Sequence, residues 1–193
     1  HHDRIVHASK FFSKPIINAL SDKSHPCQII SDLFTLNQHF GNLDIKILWV
    51  GDMNNVCFSL VEAVNLISNI QLTICSSKKI IEKTNWQLNE NIILTDDLSS
   101  ISFENFNCVM TDVHISMNDK NNDDKIKILK PYSITAKLMD QTNDNCVFMH
   151  CLPAKIGKEV SEEVINGSKS IVWKQAYNRL LAQQKLLQFI DWS

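Results

Sequence analysis

The sequence predicts an α/β fold that is built on a mostly parallel β-sheet, and two observations lead to this prediction. Short apolar runs typical of buried strands alternate along the chain with stretches whose apolar residues recur at helical spacing. Strands that are separated by helices form βαβ units, which place the strands parallel in one sheet. The hydrophobic share of the 193 residues is 44%, which is sufficient for a globular core.

The front of the chain is less regular than the rest. Residues 5–12 have the pattern of a short helix, and residues 15–20 have the pattern of a strand. Pro26 fits the first turn of a helix whose apolar positions continue to about Phe40. Gly41 then ends this helix. A boundary between two structural units is therefore expected near Phe40 and Gly41.

After Gly41, strands and helices alternate as far as the end of the chain. The predicted strands are residues 45–50, 70–74, 91–94, 107–110 and 146–149. The predicted helices are residues 55–67, 78–86, 125–129, 132–139, 159–164 and 174–190. Residues 171–172 are expected to form a last edge strand.

Charge and composition exclude several classes of function. The 19 Lys and Arg residues are balanced by 21 Asp and Glu residues, and no basic cluster is interleaved with aromatics, so a nucleic-acid partner is not expected. No apolar run approaches the roughly 20 residues that span a bilayer, so a membrane partner is not expected either. The six cysteines are scattered singly, which fits a reducing compartment and a cytoplasmic protein. Ligand spacings typical of a metal site are also missing, and no cofactor is predicted.

The most informative motif is His150-Cys151-Leu152-Pro153, which directly follows the last apolar run. Pro153 cannot donate to a strand ladder, so the strand must end at the His-Cys pair. Open α/β sheets build their ligand sites at the carboxyl ends of strands. A buried Cys beside a hydrogen-bonded His is the alternative interpretation of this pair taken alone.

A second strand ends in Gly51-Asp52-Met53-Asn54-Asn55. A Gly lets the backbone approach a ligand, and Asn residues cap the following helix, whose free N–H groups favour an anion such as a carboxylate. A plain capped turn fits the same residues. The dinucleotide-binding pattern Gly-x-Gly-x-x-Gly is missing, so a dinucleotide has no support here.

Two further polar clusters lie at comparable positions. Asp112 follows a strand and precedes Ser116, and a carboxylate at this place suits a cationic amine, although a loop cap is the alternative. His25 and Gln28 project from the first turn of a helix, beside unpaired N–H groups, although His25 is also suited to an ordinary cap. Because the carboxyl ends of parallel strands share one edge, the strand-end clusters should converge on a site for a zwitterionic amino acid.

These motifs occur in the order found in ornithine carbamoyltransferases, and the chain resembles that family over almost its whole length. The end of the chain resembles the closing helix of the family through Val172-Trp173, Asn178-Arg179 and Ala182-Gln183. The combination of His-Cys-Leu-Pro with Asp-x-x-x-Ser-Met is typical of the ornithine branch, whereas aspartate carbamoyltransferases have His-Pro-Leu-Pro at the corresponding place.

The resemblance implies a domain organisation and an activity. A Rossmann-like amino-acid-binding domain at residues 41–172 would follow a partial carbamoyl-phosphate-binding α/β domain at residues 1–40, and residues 173–193 would close back on the first domain. The implied reaction transfers a carbamoyl group from carbamoyl phosphate to the side-chain amine of L-ornithine, which gives L-citrulline and phosphate. The implied enzyme acts in arginine biosynthesis, is a homotrimer and needs no metal or organic cofactor.

The resemblance also assigns roles to individual residues. The carbamoyl phosphate set is His25, Gln28, Cys151, Leu152 and Arg179. The ornithine set is Asn55, Asp112, Ser116 and Met117. The catalytic set is Cys151, Asp112, His25 and Arg179, in which Asp112 and Cys151 would orient the amine and help to remove its proton.

The sequence departs from the family in several places. The phosphate-binding motif Ser-x-Arg-Thr is missing, and the chain begins at His1-His2 without a Met, so we expect that the front of a larger protein is not included. Met53 and Asn118 stand where smaller residues are usual, and either side chain could narrow the amino-acid pocket. The stretch between residues 75 and 94 is shorter than expected.

Two alternatives to an ornithine carbamoyltransferase follow from these departures. A sister enzyme could use another amine such as putrescine, although Ser116-Met117 would serve an amino-acid head group. A non-catalytic remnant could bind an amino acid or a partner subunit. The missing phosphate motif supports the remnant, and the retained Cys151, Asp112 and Arg179 oppose it.

Overall fold

The computed structural model of the chain describes residues 1–116 and 122–190. Five strands form a single sheet: β1 (Ile45–Val50), β2 (Ile70–Cys75), β3 (Ile92–Thr95), β4 (Cys108–Thr111) and β5 (Val147–His150). The helices are α1 (His2–Ser9), α2 (Pro26–Phe40), α3 (Asn55–Leu66), α4 (Lys78–Ile81), α5 (Asn122–Leu129), α6 (Ala136–Met139), α7 (Glu162–Ile165) and α8 (Val172–Phe189). Short 3₁₀ turns lie at Leu98–Ser100, Phe103–Asn105 and Lys130–Tyr132.

All strand pairs in the sheet are parallel, and the spatial order is β3-β2-β1-β4-β5. The predicted α/β fold with a parallel sheet is therefore confirmed. The chain runs outward from β1 through β2 to β3, and then returns to the other side of β1 for β4 and β5. The strand order reverses between β1 and β4, which is the position where doubly wound sheets open a ligand crevice.

Both faces of the sheet are covered, which explains why the strands are continuous apolar runs. On one face, buried residues such as Trp49 and Met149 pack in a cluster with Leu36 of α2 and Leu60 of α3. On the other face, the cluster contains Leu48, Phe148, Leu129 at the end of α5 and Val164 of α7. The sheet thus forms the rigid middle layer from which the strand-end loops project.

The front of the chain and the last helix lie against each other. Helix α8 packs along α2, and the buried Asn178 side chain donates to Thr35 Oγ1 at 2.9 Å and to Gln38 Oε1 at 3.0 Å. The start of α2 is tied to α3, because the His25 backbone N–H donates to Ser59 Oγ at 2.8 Å. Residues from both ends of the chain are therefore brought to one side of the sheet.

Several boundaries differ from the sequence prediction. The predicted strand at residues 15–20 is wrong, because in the described ranges no strand lies beside it to complete a ladder. The predicted edge strand at residues 171–172 is also wrong. Ile171 only flanks β5, where its N–H donates to Phe148 O at 3.0 Å, and Val172 already begins α8.

Three predicted helices are shorter than expected. The helix predicted at residues 78–86 ends at Ile81, and the one predicted at residues 132–139 covers Ala136–Met139, because Pro131 and Tyr132 belong to a 3₁₀ turn. The helix predicted at residues 159–164 begins only at Glu162. Across residues 1–116 and 122–190, none of the helices combines the length and apolar character that a membrane-spanning segment requires.

Candidate functional site

A cleft of about 1430 Å³ opens at the carboxyl edge of the sheet, between the loops that follow β1, β4 and β5, the start of α2 and the middle of α8. It therefore lies at the reversal of strand order. The predicted site residues that line it are His25, Gln28, Asn55, Asp112, Ser116, Cys151, Leu152 and Arg179. Met117 and Asn118 lie outside the described residues, so the sequence prediction for Met117 is untested.

The turn after β1 needs a glycine and supplies a carboxylate-binding asparagine. Gly51 has φ +118°, and a Cβ atom there would lie 3.1 Å from Thr111 Oγ1. Asn54 caps α3, since its Oδ1 accepts from the N–H groups of Val56 and Cys57 at 3.0 and 3.2 Å. Its Nδ2 donates to Asp112 Oδ2 at 2.6 Å. Asn54 thus caps its own helix and also holds the Asp112 carboxylate, which directly follows the neighbouring strand β4.

Asn55 is directed toward the front of the chain. Its Nδ2 donates to the backbone oxygen of Ser21 at 2.7 Å, and it also lines the cleft. This contact joins the segment ahead of α2 to the start of α3. The role of Asn55 toward an amino acid stays a prediction.

Asp112 and Cys151 come together from neighbouring strand ends. One ligand atom each of Asp112, His150 and Cys151 lies within 4.8 Å of the other two. Burial raises the pKa of the Cys151 thiol well above its usual range, and the negative charge of Asp112 raises it further. The thiol is therefore neutral at pH 7 and acts as a hydrogen-bond donor. The same three residues could ligate a soft divalent cation such as Zn²⁺, so the prediction that no metal is needed is untested.

The turn after β5 is supported by a buried histidine and a buried glutamate. His150 Nδ1 accepts from the Leu152 N–H at 2.9 Å, so the ring proton resides on Nε2, which lies 3.4 Å from Glu159 Oε1. Burial alone would raise the pKa of Glu159, but the nearby His150 ring and the hydrogen bond from the Lys155 N–H lower it on balance, which keeps the carboxylate ionised. Leu152 has φ +52°, an unusual conformation for a branched residue. The buried pair therefore holds a strained turn at the cleft.

Opposite this turn, α2 and α8 present a histidine, a glutamine and an arginine. His25 is buried at the N-terminal cap position of α2, and burial, followed by the charge of Arg179, lowers its pKa, so the imidazole is neutral at pH 7. Arg179 Nη1 donates to Gln28 Oε1 at 2.7 Å. A guanidinium has five N–H donors, so this contact leaves capacity for a ligand oxygen. The wall is thus rich in donors.

Asp52 and Lys125 also line the cleft, although the sequence analysis did not select them. Lys125 Nζ, on α5, lies 2.7 Å from Asp52 Oδ2, and the Asp52 side chain is only 4% exposed. The Trp49 indole donates to the Asp52 backbone oxygen at 2.9 Å, which holds the same turn from the sheet side. Asp52 belongs to the motif Gly51-Asp52-Met53-Asn54-Asn55, whereas Lys125 is distant in sequence and no motif around it indicates a role in the site.

Comparison with known proteins places this geometry in a family. A profile described as aspartate/ornithine carbamoyltransferase, Asp/Orn binding domain, matches residues 43–190. The chain is 38% identical over 200 residues to an ornithine carbamoyltransferase from Methanobrevibacter smithii, and the match covers 96% of this chain and 65% of the relative. It is 42% identical over 186 residues to an ornithine carbamoyltransferase from Ruthia magnifica, and this match covers 92% of this chain and 60% of the relative. The chain thus spans less than two thirds of the length of these relatives.

Solved structures agree with the sequence comparison. The ornithine carbamoyltransferase from Pyrococcus furiosus superposes with a TM-score of 0.85 at 32% identity, over 98% of this chain and 63% of that chain. The ornithine carbamoyltransferase from Thermus thermophilus superposes with a TM-score of 0.83 at 29% identity, over 99% of this chain and 64% of that chain. The similarity therefore extends over the sheet and over the helices at both ends of the chain.

Proposed function

The chain belongs to the aspartate/ornithine carbamoyltransferase family, and on that premise we propose that the protein transfers the carbamoyl group of carbamoyl phosphate to the side-chain amine of L-ornithine. The products are L-citrulline and phosphate. The observation that carries the choice of ornithine is the meeting of Asp112 with Cys151 in a cleft that Arg179 also lines. A carboxylate suits an ammonium group, and the arginine suits the oxygen atoms of the donor.

The acceptor side of the cleft prepares the amine. Asp112, which is held by Asn54, attracts the ammonium form of the amine. The neutral Cys151 thiol donates a hydrogen bond to Asp112 and does not compete with it for the amine proton. Asp112 accepts one proton from the ammonium group and passes it to solvent, which leaves a neutral amine that attacks the carbonyl carbon of carbamoyl phosphate. A C–N bond forms, the bond from carbon to the phosphate oxygen breaks, and the second proton, which the nitrogen loses after the attack, passes to the departing phosphate.

The donor side holds the carbonyl group. Charge develops on the carbonyl oxygen during attack, and donors that are already in place stabilise this charge most effectively. His25 offers a neutral N–H, and Arg179 offers a fixed positive charge whose direction is set by Gln28. The backbone of the strained Leu152 turn borders the same space.

Further parts of the proposal depend on the family relationship alone. We assign Asn55, Ser116 and Met117 to the amino-acid head group of ornithine. We also assign the enzyme to arginine biosynthesis in the cytoplasm, as a homotrimer. A sister enzyme with another amine, or a remnant that binds without turnover, would share the same fold.

A fusion protein tests the proposal. The chain is placed behind the residues of the Methanobrevibacter smithii relative that precede the matched region, so that the acceptor cleft comes from this chain alone. We expect citrulline from ornithine and carbamoyl phosphate, and no product with putrescine. A folded fusion that binds carbamoyl phosphate but carbamoylates putrescine instead indicates the sister enzyme. Binding without transfer to either amine indicates the remnant.

A further inference from the structure

A fully buried carboxylate lies behind the donor wall of the cleft. Asp32 of α2 has 0% exposure, and its Oδ1 accepts two hydrogen bonds, from Gln28 Nε2 and from Gln175 Nε2, both at 2.8 Å. Burial raises the pKa of Asp32 to about 7, although the two amides act in the opposite direction. Such a costly group in the α2–α8 contact needs an explanation beyond packing.

The two amides lead from Asp32 to two different sides of the cleft. Gln28 Oε1 accepts from Arg179 Nη1 at 2.7 Å. Gln175 Oε1 accepts from the His150 backbone N–H at 3.0 Å, at the end of β5 and next to Cys151. One carboxylate oxygen is therefore the common end point of two amide bridges.

A carboxylate determines which way each amide points. The oxygen and nitrogen ends of a glutamine side chain have nearly the same shape, so an amide between two groups can turn over unless its partners differ. Both NH₂ groups donate to Oδ1 of Asp32, and this oxygen stays an acceptor whether or not the other carboxyl oxygen carries a proton, so both amide oxygens are directed to the cleft side. If the Gln28 amide turned over, its NH₂ group would face the Arg179 guanidinium, and two donors would oppose each other.

We propose that Asp32 is a positioning residue for carbamoyl transfer, which fixes the amide orientation of Gln28 and Gln175 and thereby the place of Arg179 and of the His150 strand end. This inference rests on the proposed function. Asp32 itself does not line the cleft, so it acts through the two glutamines and touches no substrate. The donor wall depends on it most directly, because a single amide, Gln28, bridges Asp32 and Arg179.

Three variants of the fusion protein, each changed within the 193 residues of this chain, separate positioning from packing. Asp32→Asn removes the acceptor-only group. Thr35→Ala is the matched control, since Thr35 joins the same two helices one turn further on and does not line the cleft. Asp32→Asn combined with Gln175→Glu moves the carboxylate to the other end of one bridge. The amide introduced at position 32 can then accept from Gln28 and donate to the carboxylate introduced at position 175, which still accepts from the His150 N–H.

Binding of carbamoyl phosphate is measured by titration of amide and side-chain NMR signals into the millimolar range. We expect Asp32→Asn to raise the Kd about tenfold, Thr35→Ala to change it by less than about twofold, and the combined variant to recover most of the loss. The side-chain amide signals of Gln28 and Gln175 should also shift together with pH near 7 in the wild-type chain and lose this shift in Asp32→Asn.

The outcomes distinguish the inference from the function on which it rests. If wild-type cleft signals respond to carbamoyl phosphate and Asp32→Asn behaves like Thr35→Ala, positioning by Asp32 is overturned while the proposed function stands. A combined variant no better than Asp32→Asn also overturns it. If carbamoyl phosphate leaves the cleft signals of the wild-type fusion protein unchanged, the proposed function fails and the inference fails with it.

Discussion

At the scale of residues, the cleft combines two charged side chains with neighbouring groups whose charge is suppressed. Asp112 is a carboxylate beside a thiol that keeps its proton, and His25 is a neutral imidazole beside a cationic Arg179. Burial is the first cause of both shifts in pKa. Under the proposed function, one charge serves the amine and the other serves the carbamoyl donor.

Asp112→Asn should raise the Kd of the fusion protein for ornithine far more than its Kd for carbamoyl phosphate, because an amide cannot balance an ammonium charge. We expect a loss of at least about tenfold, the scale of one hydrogen bond to a charged group. Calorimetric titration with both ligands checks this. Asp44→Asn, at an exposed position just ahead of β1, is the control, and equal weakening for both ligands would show that Asp112 is a structural cap.

Cys151→Ala should slow turnover while leaving the fold intact, since Cys151 is partly exposed at a strand end. The expected decrease in kcat/KM corresponds to roughly 1–3 kcal/mol of transition-state stabilisation, or about 5- to 150-fold. Steady-state kinetics of the fusion protein measure it, with Cys108→Ala as a control for a buried cysteine remote from the cleft. An unchanged kcat/KM would remove Cys151 from the mechanism.

Asp32 should make the stability of the chain depend on pH. Its pKa is raised from an ordinary 3.8 to about 7 in the folded protein. Between these values the folded state holds a proton that the unfolded state has lost, so this residue lowers the free energy of unfolding as the pH rises from about 4 to 7. The contribution is on the order of 4 kcal/mol.

Urea titrations of wild type and Asp32→Asn between pH 5 and 8 isolate this effect, because other carboxylates are common to both. The free energy of unfolding of the variant should rise relative to that of wild type as the pH increases, and should level off above about pH 7. A constant difference across the series would mean that Asp32 does not change its protonation on folding.

At the scale of elements, two strand-to-loop turns carry the site. The β1 turn needs Gly51 because the neighbouring strand approaches its backbone, and the β5 turn holds Leu152 at φ +52° through His150 and Glu159. Helices α2 and α8 supply the opposite wall. Regular elements therefore place His25, Gln28 and Arg179 on or at the start of helices, and Asp112 and Cys151 directly after strands.

Gly51→Ala should destabilise the fold more than Gly41→Ala. Both glycines have positive φ, but a Cβ at position 51 would lie 3.1 Å from Thr111 Oγ1, whereas none of the described atoms lies within 4 Å of one at position 41. We expect losses of about 2–4 and about 1 kcal/mol respectively in the free energy of unfolding. Urea unfolding of the two variants provides the comparison, and equal losses would mean that the contact with Thr111 relaxes without cost.

At the scale of the whole molecule, the described residues form a five-stranded parallel sheet with helical segments before and after it. It spans 65% of the length of the Methanobrevibacter smithii relative and 63% of the Pyrococcus furiosus chain. The side of the cleft that we propose for the acceptor lies at the strand ends, whereas the side that we propose for the donor lies on α2 and α8. The two substrates are therefore expected to depend differently on the residues of this chain.

The 193-residue chain alone should bind carbamoyl phosphate poorly and form little or no citrulline. A Ser-x-Arg-Thr helix start would supply an Arg fork and backbone donors to the phosphate, and two or three charged hydrogen bonds lost together predict at least about a hundredfold weaker binding. A citrulline assay on the purified chain, beside the fusion protein, measures this. Robust turnover by the chain alone would mean that other residues bind the phosphate.

Sequence alone was sufficient for the parallel α/β class, for the end of β1, for the ends of β4 and β5 to within one residue, and for the family. These features depend on local chemistry: apolar runs, the breaking of strands by Pro153 and Gly51, and motifs of consecutive residues. The same local rules predicted a strand at residues 15–20, which is wrong. A strand needs a neighbour to pair with its backbone, and the apolar pattern of a segment does not contain that neighbour.

Only the tertiary structure decided which residues contact one another across long separations in sequence. Asp32 meets Gln175, Asn54 meets Asp112, and Lys125 meets Asp52 because packed helices and adjacent strand ends bring them within hydrogen-bonding distance. Nothing in the residues around Asp32 marks it as different from a polar position on an exposed helix face. Its burial between α2 and α8 gives it an unusual pKa and two amide partners, and burial is a property of the folded chain.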